Sequence, residues 1–191
     1  MARTTAREKI LEAGLEVMHS QGFNGCSVQD ITKYAGVPKG SFYAYFPSKE
    51  ALAVEVLVAY KGFGDPDVLL EGSEPALERL RAYFEQAARQ FKASGFQRGC
   101  LLGNFGSELS DASELVRKAL AQRFQNWHRV IADVLREGQE RGNVSKLLNA
   151  DQVARFLVGA WEGALMQMKV SRSEQPIEDF LKLALAPLRV S

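Results

Sequence analysis

Hydrophobic residues recur along this chain at intervals of three and four, the spacing of one face of an α-helix. We find no stretch in which apolar and polar residues alternate as they would in a half-buried strand. Two pairs, Thr5 with Glu8 and Ser27 with Asp30, place a hydroxyl three residues before a carboxylate, and each pair predicts the start of a helix. Gly36 predicts the end of the second helix, because glycine readily adopts the left-handed conformation of a helix C-terminus.

The longer second part of the chain shows the same pattern. The segment from Gly62 to Gly72, with Gly64 and the Asp65-Pro66 pair inside it, predicts the main break between domains. Beyond it, apolar stripes predict helices over about 75–95, 100–109, 112–141, 149–170 and 176–185. We therefore predict an all-α protein with two domains, residues 1–50 and residues 51–191.

A helix-turn-helix is predicted inside the first domain. Gly36, Val37 and Pro38 join the second and third helices by so short a turn that the helices must cross steeply. Over two turns the next helix presents a cation, a glycine and three hydroxyls, namely Lys39, Gly40, Ser41, Tyr43 and Tyr45. Such a set of residues suits contact with the phosphate backbone of DNA and with the adjacent major groove.

An ordered series of motifs runs from Ala6 to Ala59, the first third of the chain. They read Ile10-Leu11-x-Ala13, Gly22-Phe23, Ser27-Val28-x-Asp30-Ile31, Ala35-Gly36-Val37, Lys39-Gly40-Ser41-Phe42-Tyr43-x-Tyr45-Phe46 and Lys49-Glu50-x-Leu52. In these motifs the chain resembles the DNA-binding domain of the TetR family of bacterial transcriptional regulators. The resemblance implies an N-terminal three-helix DNA-binding domain, and a C-terminal helical bundle for ligand binding and dimerisation.

The resemblance also implies roles for individual residues. The second helix of the helix-turn-helix would enter the major groove of a double-stranded DNA operator. Bases or phosphates would be contacted by Ser27, Lys39, Gly40, Ser41 and Tyr43. Tyr45 and Lys49 would grip the backbone, and Phe42 and Phe46 would fill the core of the small domain.

Composition and charge add little to the prediction of function. The formal net charge is +1 and 46% of residues are hydrophobic, so DNA binding must depend on where cations lie rather than on their number. No apolar run is long enough to cross a bilayer, and the first residues lack the apolar core of a signal peptide. We expect a cytoplasmic protein that makes no membrane contact. Two cysteines and two histidines give no metal-ligand spacing, and we expect neither metal nor cofactor.

Small residues mark a candidate dimer helix. Gly159-Ala160 and Gly163-Ala164 repeat at an interval of four, which lets a second helix approach closely. A homodimer would hold two DNA readers in register with a palindromic operator. Packing against helices of the same chain explains the repeat equally well.

Cys100 is the candidate sensor. It lies at a predicted helix start beside Arg98, where the helix dipole and the cation both favour a thiolate. The Gly99-Cys100-Leu101 stretch resembles that of a NemR-like subgroup of the TetR family, whose regulators respond to electrophiles and oxidants. The alternative is that Cys100 is a small buried apolar residue that lines the effector cavity. Cys26 is expected to be inert. Lys169, if partly buried near the thiol, would hold it as a thiolate.

The function predicted from these features is a repressor released from its operator by a small molecule or by modification of Cys100. A reversible apolar or aromatic ligand is the alternative effector, and its pocket would be lined by Phe84, Phe91, Phe105, Phe124, Trp127, Trp161 and Met166. Two rival classes are an enzyme on a helical scaffold and a non-specific DNA binder without an effector. We expect no enzyme, because neither histidine has a nucleophile and an orienting acid near it in the sequence.

Overall fold

The computed structural model describes residues 4–62 and 66–189, and these hold nine α-helices and no β-strand. The all-α prediction is confirmed. The helices are α1 (Ala6–Gln21), α2 (Val28–Ala35), α3 (Gly40–Tyr43), α4 (Lys49–Ala59), α5 (Ala76–Ala93), α6 (Leu101–Leu109), α7 (Glu114–Glu140), α8 (Ala150–Ser171) and α9 (Gln175–Leu183). Two short 3-10 turns, Pro66–Leu70 and Ala186–Leu188, complete the regular structure.

Helix boundaries follow local capping chemistry. At the start of α1 the Glu8 backbone N–H donates to Thr5 Oγ1 at 3.2 Å, and the Thr5 N–H donates to Glu8 Oε2 at 2.7 Å. These bonds, first that from the Thr5 backbone, hold the pKa of Glu8 below its usual value. Gly36 ends α2 with φ 66° and ψ 34°, in the left-handed region that the turn requires. The side chains of Ser48 and Asn149 cap α4 and α8 by accepting the Ala51 and Gln152 backbone N–H groups.

The chain forms two compact units that are not contiguous in sequence. The first unit combines the residues up to Lys61 with Leu101–Arg123, and the second combines Gly62–Cys100 with the chain from Phe124 onward. A boundary after residue 50 would separate α4 from the first unit, whereas α4 packs on α1 through buried residues such as Leu52 and Val56. The predicted turn residues Gly64 and Asp65 lie outside the described part of the chain.

The first unit is built on an apolar core between α1, α2, α3 and α4. Phe42 and Phe46 are buried in it, as predicted, together with Ile10, Met18 and Ile31. Truncating one such phenylalanine to alanine typically destabilises a domain by about 3–5 kcal/mol. The short α3 is therefore held in place by its own Phe42 and by Phe46, which follows it, and its remaining side chains are left for other contacts.

An aromatic cluster forms part of the core of the second unit. Trp161 of α8 packs against Phe84 of α5 and Phe180 of α9, with ring centroids 4.9 Å and 5.4 Å away. Arg79 of α5 forms an ion pair with Glu137 of α7 at 2.5 Å, where little of the arginine is exposed. Across the described residues, none of the helices combines the length and the apolar character needed to cross a membrane.

Candidate functional site

The helix-turn-helix presents its polar residues outward. Lys39 and Gly40 are exposed, Tyr43 is 59% exposed and Tyr45 is 43% exposed. Ser41 is half-buried. The neighbouring phenylalanines point into the core, so these five residues form a polar surface backed by rigid packing.

Ser27 has a structural task in addition to its predicted DNA contact. Its hydroxyl accepts the Asp30 backbone N–H at 3.2 Å and the Ser27 backbone N–H donates to Asp30 Oδ2 at 2.8 Å, which closes the capping box of α2; the hydroxyl also donates to Asp30 Oδ2 at 2.6 Å. The same hydroxyl, followed by the Ser27 backbone N–H, lowers the pKa of Asp30. The Ser27 side chain is exposed.

Lys49 is bonded to the protein's own backbone. Its Nζ donates to the carbonyls of Phe23 at 2.8 Å and Cys26 at 2.7 Å, and lies 4.1 Å from the centre of the Phe23 ring. Two of the three ammonium protons are thus used inside the first unit. The sequence predicted that Lys49 contacts a phosphate. It did not predict the hydrogen bond to the Phe23 carbonyl, because Phe23 and Lys49 are 26 positions apart.

Helix α6 contacts the loop that connects α1 and α2. The Asn24 backbone N–H donates to Glu108 Oε2 at 2.8 Å, and the Phe105 ring packs edge-on against Phe23 with centroids 6.1 Å apart. At Gly22, φ is +81° and an added Cβ would lie 2.8 Å from Glu108 Oε1, so this position requires glycine. Phe105, predicted as an effector contact, is a buried core residue of the first unit.

The start of α6 is also bonded to the end of α4. The Leu101 backbone N–H donates to the Tyr60 hydroxyl at 3.4 Å, and Arg123 of α7 donates to the Tyr60 carbonyl at 2.7 Å. A displacement of α6 would therefore act on both the α1–α2 loop and α4, which flank the helix-turn-helix. Sequence reasoning did not identify Glu108 or Tyr60, because no local motif marks either residue.

A strained loop precedes Cys100. Between Gly95 and Gly99 the residues Phe96 and Arg98 have φ of 59° and 67°, which non-glycine residues rarely adopt. Arg172, at the end of α8, donates to the carbonyls of Gly95 at 3.2 Å and Phe96 at 2.5 Å. The strain is thus held by contacts from the C-terminal end of α8.

Lys169 contacts this loop, and the condition of partial burial set out from the sequence is not met. Its side chain is exposed, and its Nζ donates to the Arg98 carbonyl at 3.5 Å. The long aliphatic stem lets the ammonium stay in solvent while it reaches the loop. Whether it influences the Cys100 thiol stays a prediction.

Cys100 is 5% exposed and donates its thiol hydrogen to the carboxylate of Glu162 on α8. Burial raises the pKa of Glu162 to about 7, and the bond from Cys100 offsets part of that rise. Among the described residues, Glu162 Oε1 is buried without a hydrogen-bond partner. The sequence did not suggest this pairing, because the two residues are distant along the chain.

The other predicted effector residues differ in their surroundings. Trp161 is fully buried in the aromatic cluster. Trp127 is 8% exposed, and its indole N–H is buried with no acceptor among the described residues. Met166, grouped with the pocket aromatics from the sequence, is exposed. Within residues 4–62 and 66–189, no three His, Cys, Asp or Glu side chains form a group that could hold a metal ion.

Family models match both parts of this architecture. The model described as "Bacterial regulatory proteins, tetR family" matches residues 10–56, and "Tetracyclin repressor-like, C-terminal domain" matches residues 76–184. The chain belongs to the TetR family. It is a DNA-binding transcriptional regulator, and TetR regulators bind DNA operators and act as dimers.

Relatives in the TetR family align over almost the whole chain. The HTH-type transcriptional repressor DhaR of Mycobacterium sp. strain GP1 is 38% identical, over 98% of this chain and 94% of its own length. The HTH-type transcriptional repressor NemR of Escherichia coli K12 is 34% identical, over 92% of this chain and 89% of its own. The crystal structure of reduced E. coli NemR superimposes with a TM-score of 0.87 at 33% identity, covering 97% of both chains.

Proposed function

We propose that this TetR-family regulator is a homodimeric, cytoplasmic repressor that leaves a palindromic operator when Cys100 is covalently modified. The observation that supports it best is the position of Cys100. The thiol is bonded to α8, lies directly after a strained loop and immediately precedes α6. Helix α6 in turn carries Glu108 and Phe105 against the loop that leads into the helix-turn-helix.

The DNA contacts are proposed for the exposed residues of the helix-turn-helix. Tyr43 and Tyr45 present rings and hydroxyls beside Lys39, and the flexible backbone at Gly40 permits close approach to a phosphate. Tyr34 near the end of α2 is also exposed, and we add it to the candidate contacts. Ser27, Ser41 and Lys49 stay candidates alongside their intramolecular bonds.

A test of these contacts begins with an operator selected from a random-sequence duplex library. Tyr43→Ala should cost about 1–3 kcal/mol of operator affinity if the ring or hydroxyl reads a base. Lys118→Ala, on an exposed part of α7, is the matched control and should bind as the parent does. If Tyr43→Ala kept the parent's operator affinity and the parent's discrimination among base substitutions in the site, base reading by this residue would be excluded.

The dimer surface is proposed on α8 and α9. Phe156 of α8 is 62% exposed, and Val170 and Leu183 are exposed on the same pair of helices. An added Cβ at Gly159 or Gly163 would meet nothing within 4 Å in the monomer. A second copy of this helix pair would cover these apolar side chains and the open space beside the two glycines.

The sensing step is tested on operator release. Intact mass and operator binding are followed together after treatment with N-ethylmaleimide, in the parent protein and in Cys100→Ser, whose hydroxyl can still donate to Glu162. We expect one adduct at Cys100 and release of the operator in the parent, and neither in the variant. Undiminished release from Cys100→Ser would rule out covalent sensing at this residue.

A reversible ligand is the second candidate effector, and the indole N–H of Trp127 favours it. A buried donor without an acceptor is unusual, and a ligand oxygen would satisfy it. Trp127→Phe retains a ring but removes the donor, so it should weaken such a ligand by about 1–2 kcal/mol while leaving release by maleimide intact. Equal ligand affinity in parent and Trp127→Phe would remove Trp127 from the ligand contacts.

A further inference from the structure

The carboxyl of Glu162 has no evident role in packing the second unit. It lies largely buried on α8, one of its oxygens has no hydrogen-bond partner among the described residues, and no ion pair involving it is observed there. Burial of an unpaired carboxylate is costly, so a polar group of this kind calls for an explanation beyond folding. The thiol of Cys100 hydrogen-bonds to this carboxyl.

The charged groups around this pair are directed elsewhere. Lys169 and Arg172, further along α8, donate to the backbone carbonyls of residues 95–98. The charged residues of α9, which packs on α8, are exposed: Glu178, Asp179 and Lys182. Burial therefore raises the pKa of Glu162, and the hydrogen bond from the Cys100 thiol lowers it.

We infer that Glu162 is the proton acceptor through which Cys100 reacts with neutral, electron-poor alkenes. This inference rests on the covalent sensing proposed above and names the residue that drives it. The Cys100 thiol and the Glu162 carboxyl are hydrogen-bonded, and general-base assistance requires such a contact between the base and the proton that it removes. An ordinary carboxylate is too weak a base for a thiol, but a carboxyl that titrates at about pH 7 is a much better match.

The step balances without any further reactant. As the sulfur attacks the β-carbon of the alkene, a C–S bond forms and the S–H proton passes to Glu162. The π electrons of the alkene move to the conjugated carbonyl oxygen, giving an enolate. The enolate is then protonated at carbon by the Glu162 carboxylic acid, which returns the carboxylate and completes the thioether.

The adduct changes the surroundings of Glu162. A thioether has no hydrogen to donate, so the carboxylate loses the partner that it has in the unmodified protein. The new substituent must also be accommodated next to the strained loop, where Cys100 is buried. Both effects favour a different packing of α8 against the loop once the thiol has reacted.

The inference is tested by the pH profile of alkylation in the full-length protein. Cys26→Ser is introduced throughout so that Cys100 is the one thiol, and addition of N-ethylmaleimide is followed by intact mass between about pH 6 and about pH 9. We expect the rate to rise through about pH 7, where Glu162 ionises, and then to level. In Glu162→Gln the rate should be about tenfold lower near neutrality and should rise with ionisation of the thiol alone.

Two variants make the result interpretable. Glu162→Asp keeps a carboxylate at a shorter reach and should give an intermediate rate with the same kind of profile. Glu178→Gln removes an exposed carboxylate of α9 and should react as the parent does. Thermal melting of each variant shows whether the second unit is folded, and the Glu162→Asp profile carries the test if Glu162→Gln does not fold.

Faster alkylation of Glu162→Gln near neutrality would overturn the inference, because the carboxylate would then merely repel the thiolate. Identical profiles in parent and Glu162→Gln would overturn it as well, while leaving covalent sensing intact. An absence of any adduct in the parent protein would instead defeat covalent sensing itself, and the role of Glu162 with it.

Discussion

At the scale of single residues, the first unit depends on charged side chains that bond to its own backbone. Lys49 fastens the α1–α2 loop by two carbonyl bonds and lies over the Phe23 ring, and Glu108 fastens the same loop through the Asn24 N–H. Charged groups used in this way contribute to folding before they contribute to binding.

Lys49→Ala should destabilise the protein by about 2 kcal/mol, because two hydrogen bonds to a charged donor are lost and two partly buried carbonyls are left unpaired. Chemical denaturation of the full-length protein measures this loss. Lys33→Ala, an exposed lysine of α2, is the matched control and should leave stability unchanged. If Lys49→Ala retained full stability and lowered the salt dependence of operator binding by about one counterion, a phosphate contact would replace the structural role.

At the scale of elements, α6 contacts the chain on both sides of the helix-turn-helix. Its first residue is bonded to Tyr60 at the end of α4, and its C-terminal half carries Phe105 and Glu108 to the α1–α2 loop. Helix α3, by contrast, is one turn long and is held by the burial of Phe42 and the adjoining Phe46. A small movement of α6 would therefore displace both the α1–α2 loop and the end of α4.

Glu108→Ala should loosen the α1–α2 loop, because the Asn24 N–H loses its acceptor. We expect faster hydrogen exchange at Asn24 and its neighbours, with little change in α2 itself, which has its own capping box. Asp111→Ala, an exposed carboxylate just after α6, should leave exchange unchanged. Unaltered exchange at Asn24 in Glu108→Ala would show that the loop does not depend on α6.

At the scale of the whole molecule, operator recognition requires a fixed distance between two DNA-reading helices. TetR regulators act as dimers, and the unfilled glycines and exposed apolar residues of α8 and α9 are the surface that we propose for the contact. The sensor candidates Cys100 and Glu162 involve this same α8. Sensing and dimer spacing would then be linked through one helix.

The pair of substitutions Gly159→Leu and Gly163→Leu should convert the dimer to a monomer, because two bulky side chains would hold the second copy away. The monomer fold should survive, since neither position has a neighbour within 4 Å of an added Cβ and leucine favours a helix over glycine. Sedimentation gives the oligomeric state and circular dichroism the helix content. A dimer that persisted in this variant would move the contact to another surface.

The sequence by itself determined the secondary structure and the family. Apolar periodicity, the capping pairs at Thr5 and Ser27, and the left-handed Gly36 act over a few residues, so they can be read along the chain. The TetR motifs of the first third identified the DNA reader, and the same resemblance implied the core positions of Phe42 and Phe46.

Only the tertiary structure decided which distant groups meet. It joined residues 101–123 to the N-terminal helices, bonded Lys49 to Phe23, placed Glu108 at Asn24 and brought Glu162 to Cys100. Each of these contacts joins residues 23 or more positions apart in the chain. The sequence also does not show whether a carboxyl or an ammonium group is solvated or buried. Burial and the nearest partner set the pKa and the task of such a group, and both arise only when the helices pack.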